Sequence, residues 1–370
     1  SKVALIEKNF FKSFKIYLNS SGNISYKPFP KPHLVVENAS LILPNSQKKN
    51  NFINTSNLRI YISLRDIYLR SFNNFISTEI SKSNLKIGIS DLKEFRKHLY
   101  QKVNKPIIFQ DCKIFLKNEQ NEVILISPIK KISYKINNKT KFKIFKIDGH
   151  IFGLKFKSDW RRGYDNPNIS YHDINFFNPN IEIKNIFEFT NGESFKGVSK
   201  ILSSQAKMEH KISYNKNRIN IYSLNNEVTN FNINGKIQLK PFYFESSFII
   251  KNKKVEKIID NILPKLLIYN EDYLGNFNGL FKVNFKDLDN KLIKNGKFNF
   301  IIKEKKIDIK NVKFELDKIG NIESKINFFE DQGEIIFTSK NQLNIDNHIE
   351  FAKTFQVGSK KIKNIKKIFF

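Results

Sequence analysis

The stretch NGLFKVNFKDLDNKLIKNGKFNFIIK, residues 278–303, contains two runs in which large apolar residues alternate with polar ones. Successive side chains of a strand point to opposite faces of a sheet, so each run predicts a strand with one apolar face. The polar segment between the runs contains Asp289 and Asn290 and is short enough for a hairpin. Such close spacing favours antiparallel meanders, because parallel strands need a crossover of about a dozen residues or more.

The same alternation recurs along the chain and predicts further strands with one apolar face. Their apolar positions are Leu58, Ile60, Ile62 and Leu64; Leu85, Ile87 and Ile89; Ile132, Tyr134 and Ile136; Ile237 and Leu239; and Val312, Phe314 and Leu316. We therefore predict a mostly β protein, with more strand than the roughly 20–25% of a typical globular protein. Only three short helices are expected, over residues 92–99, 195–202 and 255–263, where apolar residues recur at helical spacing.

The composition is rich in Lys, Asn, Ile and Phe, and the formal charge is +29 over 370 residues. A basic chain suits nucleic acid, an anionic membrane or an acidic ligand, but an AT-rich genome produces the same bias without selection for binding. A platform that stacks bases needs aromatic and basic residues on one face. Here Phe and Lys alternate, which places them on opposite faces, so nucleic acid is a disfavoured partner.

Sequence signatures of catalysis are missing. The chain has no Gly-rich phosphate loop, no nucleophile elbow and no His-Glu-x-x-His motif, and its six histidines are scattered. The single cysteine, Cys112, excludes an intrachain disulfide framework and a zinc site made of several cysteines, and its apolar neighbours predict a buried strand position. We therefore expect no enzyme activity, no cofactor and no metal.

The most enzyme-like stretch contains Trp160, Arg161 and Arg162 and is followed by His172 and Asp173. Catalysis would require these groups to converge in one pocket with matched pKa values. We interpret residues 158–173 instead as a long, irregular hairpin connection. Its arginine pair, Arg161 and Arg162, is a candidate contact for a phosphate head group.

A short unit, Asx-Gly-x-apolar, occurs four times, beginning at Asp148, Asn234, Asn278 and Asn295. Glycine after Asx supplies a positive φ for a tight turn or a bulge, so the unit predicts the start of a strand. Ordinary hairpin chemistry explains each occurrence alone. Four occurrences suggest an internal repeat of sheet units.

No run of about 20 apolar residues and no signal peptide is visible. The chain starts at Ser1 and stops in mid-pattern at Phe370, so we interpret it as a piece of a longer protein whose membrane anchor lies elsewhere. The alternation weakens near residues 185–215. This predicts an N-terminal segment, 1–185, and a C-terminal segment, 186–370, or else one continuous elongated domain.

Three stretches resemble the AsmA type of envelope protein. Residues 24–43 (ISYKPFPKPHLVVENASLIL) look like the Pro-rich entry into the first strand of that family. Residues 233–262 are similar to its repeated unit of glycine, strand, proline, strand and short helix, and residues 106–136 fit its strand pair around a hairpin. The resemblance implies a long, twisted antiparallel β-sheet that curls into a trough, as in bridge-like lipid transfer proteins.

The resemblance further implies a periplasmic protein, attached to the inner membrane of a Gram-negative bacterium, that binds or conducts phospholipids between the inner and outer membranes in outer-membrane biogenesis. Other envelope proteins are further expected partners. The residues expected to line the trough are Ile237, Leu239, Phe281, Val283, Phe285, Phe298, Phe300 and Ile302. The alternative is a non-catalytic scaffold for outer-membrane proteins with a closed β core.

Overall fold

The computed structural model divides into two compact units, the first built mainly from Ser1–Ser204 and the second mainly from Gln205–Gln238, Phe242–Asn270 and Phe277–Phe370. The residues that it describes are 2–44, 53–69, 74–89, 91, 98, 103–178, 180–190, 194–203, 207–215, 217–224, 231–251, 278–303, 306–331, 334–358 and 363–370. Each unit is built around its own β-sheet framework.

The first unit contains two short helices and twelve strands within these described residues. They are α1 (Lys2–Phe14), β1 (Tyr17–Ser20), β2 (Ile24–Lys27), β3 (His33–Ile42), β4 (Ile53–Ile62), α2 (Leu64–Tyr68), β5 (Phe75–Gly88), β6 (Ile107–Lys117), β7 (Val123–Asn137), β8 (Phe142–Ile151), β9 (Leu154–Gly163), β10 (Ile169–Phe177), β11 (Asn180–Thr190) and β12 (Ser194–Ser203). Both β1 and β2 pair with β3, and from β3 onward each strand pairs with the next as far as β12.

The second unit contains the remaining described elements. They are β13 (Lys207–Asn215), β14 (Arg218–Ser223), β15 (Phe231–Leu239), β16 (Phe242–Lys251), β17 (Gly279–Lys286), β18 (Ile293–Lys303), β19 (Lys306–Leu316), β20 (Gly320–Asp331), β21 (Glu334–Ile345), α3 (His348–Phe355) and β22 (Lys367–Phe369). The strand β14 pairs with β13 and β15, and the strands from β16 to β22 pair in chain order.

The predicted fold class, mostly β with an open, mainly antiparallel sheet and few short helices, is confirmed for the described residues. The expectation of antiparallel pairing alone is corrected at two places, because β5–β6 and β16–β17 are parallel. The segments between these partners, residues 89–106 and 252–278, are long enough for the crossover that a parallel pair requires.

The core of the first unit lies on one face of its sheet, which we call the inner face. Ile6, Phe10 and Phe14 recur every four residues along α1, so they share one side of the helix, and they join the strand side chains in one buried cluster. Phe10 and Phe14 are fully buried, with ring centroids 4.7 Å apart. Sequence analysis missed α1, whose apolar stripe finds its partner only in the folded sheet.

In the second unit, α3 covers part of an apolar sheet face. Its first turn is capped by Asn347, whose side-chain oxygen accepts hydrogen bonds from the backbone N–H groups of Ile349 and Glu350. Phe351 and Ala352 then pack into a buried cluster on that face. The other buried members are Leu316, Ile319, Leu343 and Ile345.

Two predictions from the sequence are wrong. Residues 195–202 form no helix but lie in β12, because their backbone groups pair with β11 along its length. Residues 158–173 are not an irregular connection, since they belong to β9 and β10 except for the short turn at 164–168. Cross-strand pairing overrides a local pattern that suited either state. The predicted helices over 92–99 and 255–263 lie almost entirely outside the described residues.

The glycines of the Asx-Gly unit have a different role from the predicted one. Gly149, Gly235, Gly279 and Gly296 lie in strands, and none of them adopts a positive φ. Instead, each faces a close neighbour that a side chain would displace. A Cβ at Gly279 would come 2.0 Å from the ring of Phe244. These glycines therefore provide room for side chains of adjacent strands.

Candidate functional site

A single row of side chains crosses the inner face of the first unit from β3 to β12. Its members, in direct cross-strand register, are Val36, Leu58, Ile80, Phe109, Ile132, Ile147, Ser158, Ile174, Ile183 and Ile201. We call this the central row. Nine of its ten residues are apolar, so it forms a continuous apolar line across ten strands.

Burial changes abruptly along the central row. Its members on β3–β7 are at most 6% exposed. Its isoleucines on β8, β10, β11 and β12 are only half-buried. The contacts of α1 with the sheet are at β1 and β5, which is the well-buried end. The same apolar face is therefore a dry core at one end and an accessible apolar surface at the other.

A second apolar row runs beside the central row, one step toward the β8–β9 turn. It contains Phe156, Phe176 and Ile181, which lie in register and are half-buried. The rings of Phe156 and Phe176 have centroids 6.2 Å apart. We call this the end row. Together the two rows give β8–β12 an apolar surface two side chains wide.

On the opposite side of the central row lies a polar row. It consists of Trp160, His172, Asn185 and Ser199 in register on β9–β12. The His172 ring stacks on the Trp160 indole at 4.8 Å between centroids, and its Nε2 is hydrogen-bonded to Oγ of Ser158 at 2.8 Å. Burial lowers the pKa of His172 to about 4, so the imidazole is neutral at neutral pH.

The Ser158–His172 pair is not completed as a serine triad among the described residues. The amide of Asn185 donates to the backbone carbonyl of His172, at 3.0 Å, rather than to its ring. No hydrogen bond in this part of the chain joins a carboxylate to the imidazole. A triad uses such a carboxylate to orient the histidine, so the pair is better described as a polar interruption in an apolar face.

The last row, which we call the basic row, consists of Lys143, Arg162 and Ser170 in register on β8, β9 and β10. The Lys143 ammonium is buried and donates to the Val103 carbonyl at 3.3 Å and to Oδ1 of Asn104 at 3.2 Å. Burial, and secondarily the charge of Arg162, lower the pKa of Lys143. Two positive charges therefore face each other directly across adjacent strands.

The two arginines proposed for head-group contact lie on opposite faces of β9. Arg161 is on the outer face, where it forms ion pairs with Asp173 and, at 3.8 Å, with Asp159. Arg162 is on the inner face, with its guanidinium 5.0 Å from the centre of the Phe189 ring. Because successive strand residues alternate in direction, an adjacent pair cannot act on one ligand from the same face.

Six of the eight predicted lining residues lie on one face of the second unit. Phe281 is opposite Phe300, Val283 is opposite Phe298, and Ile302 is opposite Gly279. The rings of Phe281 and Phe300 have centroids 6.0 Å apart. Three of the six, Phe285, Phe300 and Ile302, are at most 4% exposed, and the others are half-buried.

The other two predicted lining residues lie on β15. Ile237 is half-buried and pairs with Ile219, on the same face as Gly235. A Cβ at Gly235 would point at Ser246, which shares the face of Phe281, so Ile237 lies on that face too. Leu239 is half-buried, but it groups with the first unit.

Sequence reasoning missed the accessible part of the first unit. Ser170, His172 and Ile174 alternate on one side of β10 and could have been recognised as one strand face. Their partners on β9 and β11 depend on register, which the sequence does not specify. Within the described residues, no group of three or more His, Cys, Asp or Glu side chains could hold a metal.

Comparison with known proteins leaves the family open. No protein-family model matches this chain, and no curated protein matches it. Among the described helices, none has the length and apolarity needed to cross a membrane. The resemblance to the AsmA type therefore stays a prediction that rests on three stretches of sequence.

Proposed function

We propose that this protein binds the apolar chains of phospholipids along its sheet and conducts them as a non-catalytic module of the cell envelope. One observation carries the proposal. The central row is a sealed core on β3–β7, but it is an accessible apolar surface on β8–β12. The same residue types in the same register therefore have two different surroundings.

An accessible apolar surface is costly unless a ligand covers it. Exposed apolar area costs roughly 25 cal/mol per Å², and large apolar surfaces on proteins commonly mark binding sites. Five strands at about 4.8 Å spacing span roughly 19 Å, which is close to the length of an extended acyl chain. The central and end rows on β8–β12 thus match an acyl chain in both chemistry and size.

The envelope setting of the proposal draws on the resemblance to the AsmA type. A periplasmic protein held at the inner membrane could pass phospholipids toward the outer membrane along such a surface. The outer-face lysines and the charge of +29 would favour contact with anionic lipid surfaces. In the second unit, the half-buried residues Phe281, Val283 and Phe298 are the proposed continuation of the apolar lining.

The experiment compares two glutamate substitutions on β11. Ile183→Glu introduces a charge into the accessible part of the central row, whereas Ile186→Glu places the same charge at an outer-face position that is 51% exposed. Lipid co-purifying with each protein is measured by native mass spectrometry, and transfer of a fluorescent phospholipid is measured between vesicles. We expect Ile183→Glu to lose at least five-fold in both, and Ile186→Glu to stay within two-fold of wild type.

Circular dichroism confirms that each variant is folded before the comparison is made. A folded Ile183→Glu protein that retains wild-type lipid content and transfer would overturn the proposal. Val283→Asp tests the second unit in the same way. A wild-type protein that carries no lipid and transfers none would favour the scaffold alternative, which the dry core of β3–β7 also suits.

A further inference from the structure

Polarity is graded along the strands of the accessible inner face. From one end to the other, the successive rows are basic, polar, central and end, and they are two residues apart on each strand. At about 3.3 Å per residue, the polar row lies roughly 7 Å from the basic row, the central row roughly 13 Å and the end row roughly 20 Å. Charge, neutral hydrogen-bonding groups and apolar side chains thus follow one another in order.

This order corresponds to the order of chemical groups in an anionic amphiphile. A phosphate is followed by hydroxyl or ester groups and then by an acyl chain. His172, with its neutral ring, and Asn185 and Ser199 can exchange hydrogen bonds with ester or hydroxyl oxygens. The central and end rows offer only apolar contact beyond that point, apart from Ser158.

The basic row has the donors that a phosphate requires. Lys143 and Arg162 are directly opposite each other, and like charges in this position destabilise a sheet unless an anion balances them. Next in register, Ser170 is fully buried, and its Oγ has no hydrogen-bond partner in the part of the chain that the structure describes. A buried hydroxyl without a partner costs about 1–3 kcal/mol, which a ligand oxygen would recover.

From these rows we infer that Lys143, Arg162 and Ser170 form a binding site for the phosphate of an amphiphile whose chain lies over the central and end rows. This rests on the proposed function and deepens it, because it specifies an anionic head group and the direction in which the lipid lies. Arg161 has no part in the site, since it lies on the other face and pairs with Asp173.

The test uses three probes and the full chain: decyl phosphate below its micelle concentration, decan-1-ol, and inorganic phosphate, each titrated by calorimetry. Wild type should bind decyl phosphate at least ten-fold more tightly than either other probe, since a hydrogen bond to a charged group contributes about 1.5–3 kcal/mol. Arg162→Gln should lose at least ten-fold toward decyl phosphate and leave decan-1-ol binding unchanged.

Arg161→Gln is the matched control, because it removes the same charge from the neighbouring position on the outer face. It should change decyl phosphate binding by less than two-fold. Ser170→Ala serves as a second variant in case Arg162→Gln does not fold, and we expect it to weaken decyl phosphate binding at least three-fold.

The outcomes separate this inference from the proposed function. Equal binding of decyl phosphate and decan-1-ol by wild type, or unchanged decyl phosphate binding in Ser170→Ala and folded Arg162→Gln, would overturn the head-group site but leave chain binding intact. Inorganic phosphate binding as tightly as decyl phosphate would overturn it too, since the site would then serve free phosphate. Failure of wild type to bind either decyl probe would refute the proposed function itself.

Discussion

Ser158 on β9 and His172 on β10 are joined by a hydrogen bond of 2.8 Å between Oγ and Nε2, inside an otherwise apolar sheet face. Burial holds the pKa of the imidazole at about 4, below its usual value of 6.5. The folded protein thus favours the neutral ring. The stability that this provides is complete above pH 6.5 and is lost as pH falls from 6.5 toward 4.

We therefore predict that His172→Gln flattens the acid limb of the stability profile. Between pH 7.5 and pH 5, wild type should lose about 2 kcal/mol of unfolding free energy through this one group, from the difference between the two pKa values. Urea unfolding at both pH values measures the loss in wild type and variant. His150→Gln, at an exposed position, is the control. An acid limb in His172→Gln as steep as that of wild type would contradict the assignment.

The helix α3 offers a matched pair of substitutions. Phe351 is 6% exposed and packs into the cluster of the second unit, whereas Ile349, two residues earlier, is 75% exposed. Phe351→Ala should cost about 3–5 kcal/mol of unfolding free energy through lost burial and a residual cavity. Ile349→Ala should cost less than about 0.5 kcal/mol. Thermal unfolding followed by circular dichroism distinguishes them, and equal losses would mean that α3 does not dock through Phe351.

Gly279 is expected to matter for space rather than for backbone freedom. A Cβ there would lie 2.0 Å from the Phe244 ring, which is itself 5% exposed and has little room to move. Gly279→Ala should therefore destabilise the second unit by about 1–3 kcal/mol. Gly358→Ala is the control, because a Cβ there meets nothing within 4 Å. Chemical unfolding that shows Gly279→Ala as stable as Gly358→Ala would refute the crowding argument.

Cys112 should be unreactive until the protein unfolds. The residue is 3% exposed, and burial raises the pKa of its thiol to about 12, so almost no thiolate is present at pH 8. Iodoacetamide should leave the native protein unmodified and alkylate it fully in guanidinium chloride, as mass spectrometry would show. The chain has a single cysteine, so the signal is unambiguous. Rapid alkylation of the native protein would show that the strand β6 opens readily.

Period-two alternation was enough to predict the strands and their apolar faces. Leu58, Ile60 and Ile62 are buried on β4, and Phe281, Val283 and Phe285 share one side of β17, as their spacing requires. The prediction succeeds because side-chain direction in a strand is a local property of the backbone. For the same reason, Arg161 and Arg162 could have been assigned to opposite faces once β9 was recognised as a strand.

Register, parallel pairing and the extent of burial were decided only by the tertiary structure. The rows that bring Lys143, Arg162 and Ser170 together depend on which residues of separate strands lie opposite each other, and no local pattern encodes that. Ile80 and Ile183 are the same residue type in the same row, yet one is in a sealed core and the other is half-buried. That difference arises from what packs above the sheet, which is a property of the folded chain as a whole.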